Sequence, residues 1–111
     1  MHEYGIASNI ADLVLENCHG KRLEKVNLDV GALSGIFDES LKMYLGIILE
    51  DKGHKNVELV TRFVPAAFVC VCGKDYTAEK MTDACPFCQG YDRKITAGKD
   101  CVVESIEVSD D

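Results

Sequence analysis

The sequence predicts an α+β fold, in which two amphipathic helices accompany a small mixed three-stranded sheet and a cysteine-bearing module is set in ahead of the last strand. Three observations carry this reading. Apolar residues recur at helical spacing in two stretches of the first half, and β-branched or alternating residues mark three further stretches. Between Val64 and Ile95 the helical periodicity fades, and four of the 6 cysteines appear there. A chain of 111 residues has room for a single modest core, so any second unit must be small.

The first helix is expected from Tyr4 to Cys18, with Ile6, Ile10, Leu13 and Val14 on one face and Gly20 at its C-terminal cap. From Leu23 to Val30 the period changes to two, as Val26, Leu28 and Val30 alternate with Lys25, Asn27 and Asp29. A loop through Gly31 and Gly35 leads to Asp38, an expected N-cap. The second helix then presents Leu41, Tyr44, Leu45 and Ile48, and Gly53 stops it. A second strand spans about Asn56 to Val64, where Pro65 ends it, and a final one spans Cys101 to Val108. The organisation expected is a discontinuous α/β domain of residues 1–64 plus 96–111, interrupted by a metal-binding module of residues 65–95.

Charge and composition exclude several roles. The 12 basic and 19 acidic residues leave a formal net charge of −7, which repels phosphate backbones and anionic membrane surfaces, so no nucleic acid and no membrane are expected as partners. The start of the chain shows neither a basic, apolar leader nor a run long enough to span a bilayer, and a cytoplasmic location is expected. In that reducing compartment clustered cysteines serve as metal ligands or redox thiols more often than as disulfides.

The cysteines of the module fall in two close pairs. Cys85-Pro86-Phe87-Cys88 is followed by Gln89-Gly90, a knuckle that turns two sulfurs toward one ion. Twelve residues earlier ends Cys70-Val71-Cys72-Gly73, where a single residue separates the pair; in extended backbone residues i and i+2 face the same side, so these sulfurs can also converge. Four thiolates complete a closed tetrahedral shell around Zn²⁺, the arrangement of a structural zinc-ribbon-like site, with Cys101 as reserve ligand. The alternative is that these thiols are buried or redox-active and hold no metal. Cys18 is a lone cysteine of the helix core, and His19 and His54 are expected at the surface near helix ends.

The first residues, Met1-His2-Glu3, hold a second candidate site. A bulky His2 favours retention of Met1, leaving the α-amine, the His2 amide and imidazole and the Glu3 amide in one run. Such nitrogens form a square-planar set that suits Ni(II) or Cu(II). Alone, a histidine at position 2 is more commonly a solvated residue, and Glu3 a helix N-terminal carboxylate.

Taken together, Met1-His2-Glu3 opening the first helix, Gly31-Ala32-Leu33-Ser34 after the first strand, the cysteine knuckles and the closing Ser105-Ile106-Glu107-Val108 resemble the HypA/HybF family of hydrogenase maturation nickel metallochaperones. The likeness spans nearly the whole chain. It implies a protein that is not an enzyme, binds nickel at Met1, His2 and Glu3 with His2 as the essential ligand, and holds zinc at Cys70, Cys72, Cys85 and Cys88. Family members have two residues between the first zinc cysteines, where this chain has one. The resemblance further implies a HypB-type GTPase and the large subunit of the nickel-iron hydrogenase as partners, with urease a second client of some members. Whether a homodimer contributes ligands stays open. Two rival classes share the cysteine module: a protein-binding zinc-ribbon adaptor, and a thiol oxidoreductase exchanging electrons through Cys85 and Cys88.

Overall fold

The computed structural model describes residues 3–78 and 80–109, and it divides the chain into two compact units. The first comprises Met1–Asp29, Ile36–Arg62 and Val102–Asp111, and the second comprises Val30–Gly35 and Phe63–Cys101. Elements follow in the order α1 (Glu3–Asn17), β1 (Leu23–Gly31), α2 (Asp38–Asp51), β2 (Glu58–Val64), β3 (Ala66–Cys70), β4 (Asp75–Ala78), β5 (Arg93–Ala97) and β6 (Cys101–Val108). The strands form two three-stranded sheets, ordered β2-β1-β6 and β4-β3-β5. The fold is thus of the α+β class expected, with two helices, a small mixed sheet and a cysteine module.

In the first unit α1 packs on α2. The face that α1 buries is Glu3, Ala7, Ile10, Ala11 and Val14, whereas Leu13 is half exposed. The expected stripe through Ile6 and Leu13 is therefore rotated toward Ala7 and Ala11, while Ile10 and Val14 stay on the buried face. On α2 the buried line is Leu41, Leu45 and Leu49, and on β1 it is Val26, Leu28 and Val30, as the period-two pattern predicts, with Leu23 buried as well at the start of the strand.

The N-cap of α2 differs from expectation. Phe37, with extended backbone, occupies that position, and Asp38 is the first helical residue. The Phe37 N–H donates to Glu3 Oε2 at 3.3 Å, so a carboxylate from α1 takes the part that the third-residue carboxylate plays in a capping box. Asp38 is thereby released to accept from Thr61 Oγ1 at 3.1 Å, and its charge still opposes the helix dipole. After α2, Gly53 takes a positive φ of 95°. The chain then brings His54 Nδ1 to the Leu23 N–H, 3.1 Å away, giving this histidine a structural tie that its sequence position did not suggest.

The second unit is a sheet in its own right. Pro65 interrupts the chain only briefly before β3 resumes, and β3 pairs antiparallel with both β4 and β5. Ala66, Phe68 and Cys70 point inward from β3 and join Tyr76 and Cys85 in a small core, with Phe68 and Tyr76 stacked at 5.2 Å. Residues 30–35 belong to this unit through a hydrogen-bonded seam. The Gly31 N–H donates to Asp100 O (3.0 Å), Ala32 N–H to Val64 O (2.8 Å) and Leu33 N–H to Gly98 O (2.8 Å). A Cβ at Gly31 would lie 2.4 Å from Gly98 O, which explains why glycine stands there.

Candidate metal centre

The two knuckles share one hydrogen-bonding plan with loops of different length. In the first, Cys70 N–H donates to Lys74 O (3.0 Å) and Gly73 N–H to Cys70 O (2.9 Å), with Gly73 at a φ of 89°. In the second, Cys85 N–H donates to Gly90 O (3.0 Å) and Gln89 N–H to Cys85 O (2.7 Å), with Gln89 at a φ of 63°. The missing residue between Cys70 and Cys72 thus shortens the loop by one without changing how the turn closes.

These turns bring the sulfurs of Cys70, Cys72, Cys85 and Cys88 within 4.8 Å of one another. Cys70 Sγ lies 3.4 Å from Cys88 Sγ, and Cys72 Sγ 3.9 Å from Cys85 Sγ. A tetrahedral ion with Zn–S bonds of about 2.3 Å sets its ligands about 3.8 Å apart, so the spacing fits a four-thiolate ion. All 4 are free thiols. Among the described residues this is the one group of metal-binding side chains found, and Cys101, at the start of β6, is not in it.

The thiols are electrostatically at odds with one another. Burial works against the Cys85 thiolate, but N–H groups of Cys88 and Phe87 and the thiols of Cys70 and Cys88 outweigh it and bring its pKa down to about 7. The Gly90 N–H favours a Cys88 thiolate, yet the Cys70 thiol, burial and the remaining thiols push that pKa up to about 12. For Cys72 the Lys74 N–H is likewise overcome by burial and by Cys70 and Cys85, and its pKa is raised. Four thiolates do not coexist here unaided; a divalent cation at their centre would remove the conflict.

At the other end of the chain, Met1 and His2 lie outside the described residues. Glu3 is buried, with 4 % of its surface exposed, and its carboxylate is engaged at the α2 cap. Tyr4 follows, half exposed and edge-on to Tyr44 at 5.6 Å.

Residues 1–108 match the family described as hydrogenase/urease nickel incorporation, metallochaperone, hypA. The chain belongs to the HypA family. Among its HypA relatives, the hydrogenase maturation factor HypA of Caldanaerobacter subterraneus is 35% identical over 97% of this chain and 99% of its own length. That of Dehalococcoides mccartyi is 30% identical over 100% and 97%. Two solution structures share the fold. The nickel metallochaperone HypA from Helicobacter pylori superposes with a TM-score of 0.72 at 20% identity, covering 97% of both chains, and a second HypA protein gives 0.75 at 20%, covering 100% of this chain and 98% of its own. Within this HypA chain no described helix is long and apolar enough to cross a membrane.

One tie beside the cysteine cluster was not legible in the sequence. Arg93, in no recognisable motif, holds the loop ahead of Cys85 through its guanidinium.

Proposed function

We infer that this HypA-family chain is a nickel metallochaperone without catalytic activity of its own, working in the cytoplasm. Ni(II) is its cargo, taken up by the Met1 α-amine, the His2 amide and imidazole and the Glu3 amide, and passed on for assembly of the nickel-iron hydrogenase active site. Zn(II) is its resident ion, held by Cys70, Cys72, Cys85 and Cys88. The observation that carries this reading is the family match along residues 1–108, from the Met-His-Glu start to the end of β6. The four-sulfur cluster supports the zinc assignment by donor type and spacing.

The two sites ask for opposite properties. A zinc ion closed in by four sulfurs supplies cross-linking of the two knuckles, and Cys70 and Cys85, buried in the module core, make that cross-link part of the fold. A nickel ion to be handed over needs ligands that can be exchanged one by one, and a chain terminus offers them. The division of labour expected from the sequence, residues 1–64 with 96–111 for nickel and 65–95 for zinc, belongs to this proposal. So do a HypB-type GTPase and the hydrogenase large subunit as partners, a homodimer as a second arrangement, and urease as a second client.

The test is a nickel titration of protein with a free amino terminus against His2→Ala and against a variant extended by a few residues ahead of Met1. Both variants should lose tight nickel binding and keep stoichiometric zinc. Equal nickel uptake by all three refutes the N-terminal site. Nickel affinity should also fall between about pH 7.5 and 6, as the imidazole gains a proton.

A further inference from the structure

Arg93 stands at the meeting point of the two knuckles. Its backbone is paired in register with Cys70 at the end of β3, so it is tied to the first knuckle by the sheet itself. Its side chain reaches the approach to the second. The guanidinium donates to the carbonyls of Met81 and Asp83, in the irregular stretch running directly into Cys85, and to Tyr76 Oη at 2.9 Å. Its Cζ sits 4.5 Å from the Phe68 ring centroid and 5.5 Å from that of Tyr91. Phe68 and Tyr76 are buried core residues, so the fork is braced from below by the same side chains that support Cys70.

The stretch it holds has little else to fix it. Residues 80–84 form a turn closed by Asp83 N–H to Lys80 O (3.1 Å), and Met81 is half exposed. No strand passes through it. Cys85 itself is placed by its burial beside Cys70 and by its bond to Gly90 O, but the chain leading into it is held to the sheet by Arg93. Only a guanidinium supplies several rigidly oriented donors together with a flat face for aromatic contact; a lysine ammonium keeps the charge but can neither stack nor span both carbonyls in the same way.

We propose that Arg93 is a positioning residue of the four-cysteine centre: by pinning the Met81–Asp83 backbone to β5 opposite Cys70, it preorganises the two knuckles for the ion and slows the ion's escape. This rests on reading the cluster as a zinc site. Groups that hydrogen-bond a ligand directly are worth roughly 10- to 100-fold in metal affinity, and Arg93, which acts through the backbone leading into Cys85, belongs at about the lower end of that range.

The experiment compares the full chain with Arg93→Lys and Arg93→Ala. Zinc release to excess chromogenic chelator is timed well below the melting temperature, Co(II) spectra are recorded at saturation, and melting of the metal-bound protein is followed. Arg93→Ala should release zinc about 10-fold faster, with Arg93→Lys between it and the parent. The Co(II) bands of both variants should stay those of a four-thiolate site, because the ligands are unchanged. A merely structural role would lower the melting temperature of the metal-bound module while leaving release from folded protein at the parent rate; that result overturns the proposal. Should Arg93→Ala fail to fold, Arg93→Lys decides, since release at the parent rate refutes the argument by itself. A parent protein that takes up neither zinc nor Co(II) removes the zinc reading and this proposal together, whereas uptake by the parent with unchanged release in the variants removes this proposal alone.

Discussion

Stripping the metal should unfold the cysteine module and leave the helical unit standing. The module core consists of Ala66, Phe68, Cys70, Tyr76 and Cys85, and two of these are proposed ligands. Full burial of Phe68 and Tyr76 contributes about 1.5–3 kcal/mol each, so the non-ligand core supplies on the order of 5 kcal/mol. Structural zinc in small modules contributes about 10–16 kcal/mol near neutral pH, and is the larger contribution. The helical unit, in contrast, buries Ile10, Val14, Leu23, Val26, Leu28, Leu41, Leu45 and Leu49 without help from any thiol cluster. Residue-resolved amide exchange before and after chelation, with metal content measured on the same sample, separates the two. The amides of Cys70 and Val71, which donate to Lys74 O and Asp92 O, should lose protection on chelation, while those of Leu45 and Leu49 keep theirs. Full protection at Cys70 in verified metal-free protein would refute the reasoning, for the apolar core would then suffice alone.

Three other outcomes follow from the same geometry. Gly31→Ala should destabilise the second unit by about 2–4 kcal/mol, combining overpacking with strained hydrogen bonds to Asp100 and Gly98, and a chemical denaturation midpoint shift for module probes measures it. Zinc binding near pH 8 should release protons from both Cys72 and Cys88, whose folded pKa values are raised, so affinity rises with pH; calorimetry in buffers of different ionisation enthalpy reads the proton count, and binding without proton release would contradict the assignment. His54→Ala should cost about 1–3 kcal/mol by orphaning the Leu23 N–H at the start of β1, detectable by thermal unfolding of the helical unit.

Much of the first unit was legible because its elements carry one period each. β1, α2 and β6 stand where the alternation and the 3.6-residue spacing put them, within a residue or two. The buried face of α1 was read only in part: hydropathy favours Ile6 and Leu13, but the helix buries the small Ala7 and Ala11 beside Ile10 and Val14. The α2 cap was assigned to Asp38 because a side chain 34 positions away, Glu3, cannot be seen as a capping group from local sequence. Inside the module, strands of 4 and 5 residues are too short to show a period, and their pairing depends on partners such as Phe68 with Tyr76 and with Ile95. The grouping of residues 30–35 and 96–101 with the cysteines arises from backbone seams that no side-chain pattern announces. The four cysteines, by contrast, declared themselves by type and spacing, including the pair one residue short.

That shortened pair clarifies what the centre requires. In both knuckles the first cysteine, Cys70 or Cys85, is buried, and the second, Cys72 or Cys88, is exposed. The close sulfur contacts run crosswise, Cys70 to Cys88 and Cys72 to Cys85, each joining a buried thiol of one knuckle to an exposed thiol of the other. Deleting a residue between the first two cysteines moves neither buried anchor, because Cys70 is set by its place at the end of β3 and Cys85 by its burial in the same small core. Only the exposed sulfur of the short loop must be redirected, and Gly73 at positive φ permits that immediately after it. The constraint on this centre is therefore the placement of two buried sulfurs by the sheet, with the loops free to vary in length so long as each returns its outer sulfur to the same point.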